Sequence, residues 1–274
     1  MSGVTVACQG TYGANSQSAC KAAFGEADIM FMRSFEAVFA AVDSGLCQYG
    51  VLPIENSTYG SVTSVYDLLC GYEVKIVKAV RMPVRHCLAG IESASISDVK
   101  RVLSHEQALG QCTNYLKKRK LDKEGYPNTA VAARYVAEQG DPEIAAICSE
   151  ECAEEYGLKI FARDIQDSGR NYTRFICIEA DKGDKLSGSK ISIACTLENK
   201  RGALCKLLGM LSDCGANLTK IESRPIPDTD FEFMFYIDFE GDIEQMSERF
   251  LFDSLEENLA YCRLLGCYNE YSVQ

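Results

Sequence analysis

The sequence predicts an α/β protein in which two α/β lobes flank a cleft and a smaller domain with the element order βαββαβ follows them. Two observations predict this. Strand-like apolar runs alternate with amphipathic helical patterns as far as residue 180, which is typical of a mainly parallel sheet covered by helices. The polar stretch DKGDKLSGSK then interrupts the alternation. We therefore predict the two lobes at residues 1–182, a linker at 183–190 and the C-terminal domain at 191–270.

The first lobe begins with a strand, a loop and a helix whose predicted N-cap is Ser16. A second helix is indicated between Ser34, a typical N-cap residue, and Gly45, because its apolar residues recur at the i, i+3, i+4 and i+7 positions of one helix face. Short apolar runs indicate the strands. The predicted strands of this lobe lie at 4–8, 29–32 and 49–54, and the predicted helices lie at 16–24, 35–44 and 61–69.

Two extended segments, 74–84 and 86–88, lead from the first lobe into the second, where strands and helices alternate again. Two such halves joined by long crossing strands predict two lobes with a cleft between them. The predicted strands of the second lobe lie at 99–103, 144–148, 158–164 and 172–179, and its predicted helices lie at 108–118, 129–137 and 150–156.

The C-terminal domain follows a different pattern, in which two strands are adjacent in the sequence between two helices. This order, β-α-β-β-α-β within about 80 residues, is that of the ferredoxin-like unit. Its predicted strands lie at 191–197, 217–224, 231–239 and 262–268, and its predicted helices lie at 202–214 and 246–259.

The charge balance excludes some classes of partner. The chain has 28 basic and 39 acidic residues, a formal net charge of -11, whereas a nucleic-acid-binding protein needs a basic face. The one basic run, 117–120, ends a predicted helix, where cations complement the helix dipole. The apolar runs are too short to span a bilayer, and residues 1–13 show no secretory signal. We expect a cytoplasmic protein with no nucleic-acid or membrane partner.

The cysteines and histidines give no pattern of a metal or disulfide framework. There are 14 cysteines and 2 histidines, without a C-x-x-C motif. Zinc needs paired ligands at short spacing, and disulfide frameworks belong to small secreted chains. We expect buried, reduced cysteines and no cofactor. His86 and Cys87 are adjacent, but neighbours on a strand face opposite ways, which disfavours a Cys–His nucleophile.

Polar side chains follow three predicted strands at the point where a helix begins. They are Ser16, Asn56 and Ser104. In open α/β sheets ligands bind at such strand ends, and helix N-termini favour anions. Several such positions around one cleft would hold a dianion without many arginines. Each residue is also explained by a helix cap alone, and both interpretations stay open at this point.

Four stretches together resemble the prephenate dehydratase family of phenylalanine biosynthesis. Two of them are specific: VLPIENS, followed by a glycine, at 51–60, and NYTRF at 171–175. The others are Gln9-Gly10 with GANS at 13–16, and Ser104-His105 with Gln111-Cys112. The C-terminal part resembles the family's ACT regulatory domain through GAL at 202–204 and ESRP at 222–225. The resemblance covers about 4–268.

The resemblance implies lobes arranged as in periplasmic binding proteins and a cofactor-free reaction that converts prephenate to phenylpyruvate, with loss of water and carbon dioxide. The family's essential threonine corresponds to Thr173, which would donate a hydrogen bond to the leaving hydroxyl. The other implied catalytic residues, fixed neutral donors that line the cleft, are Asn56, Ser104 and Gln111. The implied substrate-binding residues are Glu55, Ser57, Ser16, His105, Arg174 and Phe175.

Two of these residues keep alternative interpretations. Arg174 is either a clamp on a substrate carboxylate or part of a structural ion pair, because neighbours on a regular strand project to opposite faces and Thr173 precedes it. A carboxylate at Glu55 would repel a dianion. We therefore expect it to be protonated or to belong to a supporting network.

The resemblance also implies feedback regulation by phenylalanine, bound where two ACT domains meet, and hence a homodimer or homotetramer. The implied effector residues are Gly202, Ala203, Leu204, Glu222, Ser223, Arg224 and Pro225. Two other functions are compatible with the sequence. Arogenate dehydratase shares the motifs and differs in the side chain of its substrate. A non-catalytic amino-acid-sensing module shares the architecture, because a fold alone does not establish catalysis.

Overall fold

Two sheets, one in each lobe, organise the chain, and the C-terminal domain extends the first of them. The structure is a computed structural model and describes residues 3–183, 187–226, 229, 232–241 and 259–273. The larger sheet has ten strands and the smaller has five. The predicted fold class, two α/β lobes followed by a domain with ferredoxin-like strand order, is confirmed. Over the described ranges, no helix is both long and apolar enough to cross a membrane.

The first lobe contains a sheet of parallel and antiparallel strands. Its elements are β1 (Thr5–Gln9), α1 (Asn15–Phe24), β2 (Asp28–Met32), α2 (Phe35–Asp43), β3 (Tyr49–Asn56), β4 (Gly60–Ser61), α3 (Thr63–Gly71), β5 (Val74–Pro83) and β11 (Tyr172–Ala180). Strand β1 pairs in parallel with β2 and β3, and β11 lies antiparallel between β3 and β5. Strand β11 thus returns to the first lobe after the chain has passed through the second.

The two predicted helix caps of this lobe have different outcomes. Ser34 caps α2 as predicted, because its hydroxyl accepts a first-turn backbone N–H at 3.2 Å. The prediction for Ser16 is wrong, because α1 begins at Asn15 and Ala14 occupies the cap position. Ser16 is buried within the first turn, and its hydroxyl donates to the carbonyl of Gln9 at 2.5 Å. It therefore ties α1 to the end of β1.

The second lobe contains the five-stranded sheet. Its elements are β6 (Cys87–Gly90), β7 (Arg101–Ser104), α4 (Glu106–Gln111), α5 (Thr113–Arg119), β8 (Asp122–Gly125), α6 (Thr129–Gln139), β9 (Ile144–Cys148), α7 (Glu150–Glu155) and β10 (Lys159–Ala162). The strand order is β10-β6-β9-β7-β8. The helix predicted at 108–118 is two helices, because Cys112 between them is not helical. Strand β8 was not predicted.

The C-terminal domain has the strand order of the ferredoxin-like unit. Its described elements are β12 (Lys190–Thr196), α8 (Ala203–Asp213), β13 (Asn217–Pro225), β14 (Phe233–Glu240) and β15 (Tyr261–Ser272). The order β13-β14-β12-β15 is that of second, third, first and last strand. The helix predicted at 246–259 lies, except for its last residue, outside the described residues.

The C-terminal domain joins the first lobe through one parallel strand pair. Strand β15 pairs with β5, so both regions form one continuous sheet. Gly266 makes the close approach of the two strands possible, because a Cβ atom at this position would overlap the backbone carbonyl oxygen of Ile76. Strand β5 in turn pairs with β11. The C-terminal domain therefore lies two strand pairings away from β11.

We predict that Gly266→Ala lowers the free energy of unfolding by about 1–3 kcal/mol, because the new methyl group forces β15 away from β5. Gly209→Ala is the matched control. Gly209 is an exposed position of α8, and apart from the adjacent helix backbone no atom of the described residues lies within 4 Å of a Cβ atom placed there, so alanine raises stability by about 0.5–1 kcal/mol. Urea unfolding of both variants measures the difference. Equal stability of the two variants would contradict the close approach.

Candidate active site

A side-chain amide at the end of β3 holds together the segment that begins β11. Asn56 and Thr173 are cross-strand partners, although they lie 117 residues apart in the sequence. Asn56 Nδ2 lies 3.0 Å from Thr173 Oγ1, 2.9 Å from Asn171 Oδ1 and 3.2 Å from the Tyr172 carbonyl oxygen. On its other side Asn56 Oδ1 accepts two backbone N–H groups, at 2.9 and 3.1 Å. These two acceptor bonds fix which amide atom faces Thr173.

The hydroxyl group of Thr173 is therefore left with a hydrogen to donate. Its oxygen accepts a hydrogen bond from Asn56 Nδ2, and a hydroxyl has one proton and two lone pairs. No hydrogen bond donated by Thr173 Oγ1 occurs within the described part of the chain. The arrangement gives an oriented neutral donor, held by an amide that is itself held by the backbone.

Asn171 belongs to this cluster, although we did not predict it as a site residue. Its side chain is buried, and its Oδ1 accepts from Asn56. Its Nδ2 has no hydrogen-bond partner in the described residues. An unpaired buried amide is costly, which favours a ligand acceptor at this position. The signal was present in the sequence, since Asn171 begins the NYTRF stretch.

Ser57 fastens the same segment through the backbone. Its N–H donates to the Tyr172 carbonyl at 2.8 Å, and its hydroxyl accepts the Tyr172 N–H at 2.9 Å. The hydroxyl also donates to the Arg170 carbonyl at 3.2 Å. These three bonds continue the pairing of β3 and β11 beyond the ends of the strands.

The second lobe places Ser104, His105 and Gln111 around α4. Ser104, at the end of β7, is fully buried and donates to the Ile147 carbonyl of β9 at 2.6 Å. His105 is the N-cap of α4, with its Nδ1 3.3 Å from the N–H that it accepts. Gln111 Oε1 lies 2.6 Å from Nε2 of buried His86. The Ser104 and His105 bonds fix the start of α4, and the Gln111 contact fixes its end.

The hydrogen bond between His86 and Gln111 has a defined donor and acceptor. Burial lowers the pKa of His86, and the hydrogen bond to Gln111 opposes this only in part. A neutral ring carries one N–H, and an amide oxygen only accepts, so His86 Nε2 donates to Gln111 Oε1. The Gln111 amide nitrogen is then the group left for a ligand. The sequence carries no local signal for this role of His86, because its partner Gln111 lies 25 residues away.

Two tyrosines bring the predicted stretches together across the lobes. The hydroxyl of Tyr59, in the turn after Asn56, donates to the Gln107 carbonyl of α4 at 3.1 Å. The hydroxyl of Tyr156 donates to the Tyr12 carbonyl at 2.8 Å, and so joins the second lobe to the loop before α1. The second and third stretches therefore meet across the lobes, the loop of the first stretch contacts the second lobe separately, and β11 carries the fourth.

Three predicted substrate-binding residues do not point to the Asn56–Thr173 cluster. Arg174 is buried and pairs with Asp238 of the C-terminal domain, Nη2 to Oδ2 at 2.6 Å. Glu55 Oε1 accepts from Nζ of Lys220, also in that domain, at 2.8 Å. The physical reason is the alternation of side chains along β3 and β11. Phe175 is buried in the apolar core of the first lobe. Of the two interpretations of Arg174, the structure displays the ion pair.

The predicted effector residues occupy two elements of the C-terminal domain. Gly202 is the N-cap of α8 with a φ of 85°, and Ala203 and Leu204 form its first turn. The ESRP stretch ends β13, and two of its side chains contact the first lobe. Ser61 donates to Glu222 Oε2 at 2.6 Å, and Arg224 Nη2 lies 3.2 Å from Asp67 Oδ2. The remaining residues, Ser223 and Pro225, lie on the same strand.

No group of three or more His, Cys, Asp or Glu side chains able to hold a metal ion occurs in the described ranges. All 14 cysteines are free thiols, and most are buried.

Comparison with known proteins assigns the family. The prephenate dehydratase family matches residues 6–183 and the ACT domain family matches 191–251. Prephenate dehydratase of Methanocaldococcus jannaschii is 40% identical over 89% of each chain. Arogenate dehydratase/prephenate dehydratase 2, chloroplastic, of Arabidopsis thaliana is 39% identical over 97% of this chain and 72% of its own length.

Solved structures agree in fold. Prephenate dehydratase of Arthrobacter aurescens, in complex with L-Phe, superposes with a TM-score of 0.87 at 27% identity, over 97% of this chain and 90% of that chain. GqqA, described as a novel type of quorum quenching acylase, superposes with a TM-score of 0.88 at 30% identity, over 96% and 97%. The motifs, the two lobes and the matched residues together lead to one conclusion: the chain belongs to the prephenate dehydratase family and carries a C-terminal ACT domain.

Proposed function

We propose that this chain converts prephenate to phenylpyruvate and that Thr173 donates the hydrogen bond that assists the leaving hydroxyl. The observation that carries this proposal is the hydrogen bond from Asn56 Nδ2 to Thr173 Oγ1, which leaves the threonine proton free. The fold alone carries less weight, because one structure of the same fold is described as an acylase.

The reaction balances without an oxidant or reductant. The bond from the ring to its carboxylate breaks and releases carbon dioxide, and the electron pair enters the ring. The ring C–O bond then breaks, and the hydroxyl leaves as water after taking up one proton. Aromatisation drives both steps. Thr173 is too weak an acid to supply that proton by itself, so its part is to stabilise charge on the departing oxygen.

The other site residues have supporting parts in this proposal. Asn56 orients Thr173, and Ser104 fixes the strand end from which α4 begins. Gln111, with its oxygen held by His86, presents its amide nitrogen to the substrate. Ser16, Ser57 and His105 hold the loops that surround the substrate.

We predict that Thr173→Ala lowers kcat by about 10²-fold or more while KM changes little, because the lost hydrogen bond forms only as the hydroxyl departs. Thr173→Ser keeps the hydroxyl and much of the activity. Release of phenylpyruvate from prephenate measures both variants. A Thr173→Ala variant with near wild-type turnover would contradict the proposed role.

The pKa of His86 predicts a pH dependence of stability. Burial lowers it below the unfolded value of about 6.5, so the unfolded chain binds more protons between the two values. The free energy of unfolding therefore falls as the pH drops below about 6.5. His86→Gln removes this contribution and still has an amide N–H for Gln111. Urea unfolding of both proteins at about pH 7.5 and 5.5 measures it, and an equal loss in both would contradict it.

Arogenate is the second candidate substrate, because plant relatives such as the Arabidopsis thaliana enzyme are named arogenate dehydratase/prephenate dehydratase. Arogenate has an amino group where prephenate has a keto group, and loses the same ring substituents. Purified protein is given each substrate separately, and phenylpyruvate or phenylalanine is measured. Turnover of arogenate alone would replace the proposed substrate. Binding of both without turnover would favour the sensor module.

Phenylalanine is the proposed effector, and residues 191–270 are the proposed regulatory domain. The relative from Arthrobacter aurescens is described in complex with L-Phe. A groove beside Ala203 is lined partly by Leu207 and Met210, whose apolar side chains suit contact with an aromatic ring. Backbone N–H groups at the start of α8 suit the carboxylate of an amino acid.

A homodimer or homotetramer is the proposed assembly. Strand β13 is at the edge of the larger sheet as described, and an edge strand offers unpaired backbone groups to another chain. Leu218 and Ile221 on that strand are exposed, as is Phe233 on β14. Apolar side chains along an edge strand favour contact with a second copy.

We predict that Gly202→Val abolishes inhibition by phenylalanine and leaves basal turnover unchanged. A positive φ disfavours a β-branched residue, so the start of α8 shifts and the effector loses its backbone donors. Inhibition needs a preference for the less active state of about 1–3 kcal/mol. Turnover is measured against phenylalanine concentration, with Gly209→Ala on the same helix as control. Unchanged inhibition of the Gly202→Val variant would place the effector elsewhere.

A further inference from the structure

Four charged side chains form a line across the contact between the first lobe and the ACT domain. We call them the interdomain charge cluster: Glu55, Arg174, Lys220 and Asp238. Arg174 Nη2 donates to Asp238 Oδ2 at 2.6 Å and lies 3.5 Å from Glu55 Oε2. Lys220 Nζ donates to Glu55 Oε1 at 2.8 Å. Positive and negative charges alternate along this line, so each cation contacts a carboxylate of the other domain.

Three of the four side chains of the cluster are shielded from water, and the fourth, Glu55, is 34% exposed. The side chains of Arg174, Asp238 and Lys220 are 10%, 5% and 11% exposed. Arg174 Nε has no hydrogen-bond partner among the described residues, and Glu270 Oε2 lies 3.7 Å from Nη1. The short bond to Asp238 therefore fixes the guanidinium. Loss of one member of a buried pair leaves an uncompensated charge, which the surrounding structure must move to accommodate.

Two members of the cluster are direct sequence neighbours of the candidate active-site residues on the same two strands. Arg174 follows Thr173 on β11, Glu55 precedes Asn56 on β3, and the register pairs Arg174 with Glu55 and Thr173 with Asn56. Neighbouring side chains on a strand point to opposite faces. The ACT domain therefore contacts one face of this strand pair, and the opposite face carries the Asn56–Thr173 hydrogen bond.

Polar groups of both domains anchor the ACT members of the cluster. Asp238 Oδ1 accepts from the Ser192 hydroxyl at 2.7 Å, and so links β14 to β12. Lys220 Nζ also donates to the Ser61 hydroxyl at 2.8 Å, which itself donates to Glu222 Oε2 at 2.6 Å. Glu222 begins the ESRP stretch of the proposed effector site. The cluster is thus in direct contact with both the effector stretch and the active-site strands.

We propose that the interdomain charge cluster positions Thr173 and Asn56, so that the ACT domain sets the rate of the chemical step through Asp238 and Lys220. The proposal rests on the proposed dehydratase function and assigns Arg174 and Glu55, which do not point to the Asn56–Thr173 cluster, the part of positioning residues. A shift of the ACT sheet relative to β11 then moves the threonine hydroxyl relative to the departing oxygen.

A second interdomain ion pair provides the comparison. Arg224 and Asp67 also join the ACT domain to the first lobe, but their side chains are 30% and 51% exposed. Asp67 lies on α3, and neither member of this pair belongs to β3 or β11. Exposed pairs contribute little, so loss of this pair leaves the strands in place.

The test compares Asp238→Asn with Asp67→Asn in the full-length chain. Asparagine at 238 keeps the shape and the oxygen that Arg174 contacts but removes the charge. We expect kcat to fall about 10-fold with KM within about two-fold, because misplacement of a catalytic group affects the transition state. Asp67→Asn keeps wild-type kcat. Wild-type kcat in Asp238→Asn, or an equal loss in both variants, would overturn the proposal.

A double-mutant cycle with Thr173→Ala separates positioning from general damage to the fold. If Asp238 acts by placing the threonine hydroxyl, Asp238→Asn costs less than two-fold in kcat once that hydroxyl is gone. The same 10-fold loss in the Thr173→Ala background would overturn the proposal. If Asp238→Asn does not fold, Lys220→Met, which breaks the contact to Glu55, is read by the same criterion, with its melting temperature recorded.

The cycle also distinguishes failure of this proposal from failure of the proposed function. A wild-type chain that forms no phenylpyruvate, or a Thr173→Ala variant with full activity, would remove the proposed function itself. A chain that behaves as proposed in both respects but shows additive losses would remove only the positioning role of the cluster.

Discussion

The antiparallel pairing of β3 with β11 is the constraint on which the rest of the structure depends. It brings together residues more than 100 positions apart in the sequence, with Asn56 opposite Thr173, 117 positions away, and Glu55 opposite Arg174. The second lobe is inserted between these two strands. Its position is therefore set by the same pairing, and Tyr59, in the turn that follows β3, makes the contact to α4. The site and the lobe arrangement have one structural origin.

Because β11 lies between β3 and β5, this constraint extends into the ACT domain. Strand β5 pairs with β15, and the close approach at Gly266 makes the two sheets continuous. A continuous sheet transmits displacement in the hydrogen-bond direction, and the charge cluster adds side-chain contacts across the same boundary. The ACT domain is a separate pattern in the sequence, but in the structure its sheet continues into the strands that carry the candidate active site.

The sequence predicted those features that depend on local patterns. The spacing of apolar residues and the helix-cap residues predicted the order of elements and the cap at Ser34. The NYTRF and PIENS stretches indicated Thr173 and Asn56 as candidate site residues, and the structure places these two side chains in contact. Strand β8 was missed because its sequence, DKEG, has no apolar alternation and lies at the edge of a sheet. The pairing of Arg174 with Asp238 was out of reach, because the partner lies 64 residues away in another domain. The position of Arg174 next to Thr173 indicated only that its side chain lies either on the substrate face of the strand or on the opposite face.

The chemistry of the charge cluster explains why charged rather than apolar residues suit this boundary. An apolar contact of similar volume would stabilise the interface at least as well, since buried ion pairs add little net stability. It would also tolerate sliding, because dispersion and burial have little directionality. The bond between Arg174 and Asp238 depends on distance and angle, and so specifies one position of β11 relative to the ACT sheet. In the proposed function, an enzyme that holds a weak donor such as the Thr173 hydroxyl at one point gains from that specification, because the proposed effect of the hydroxyl depends on where it points.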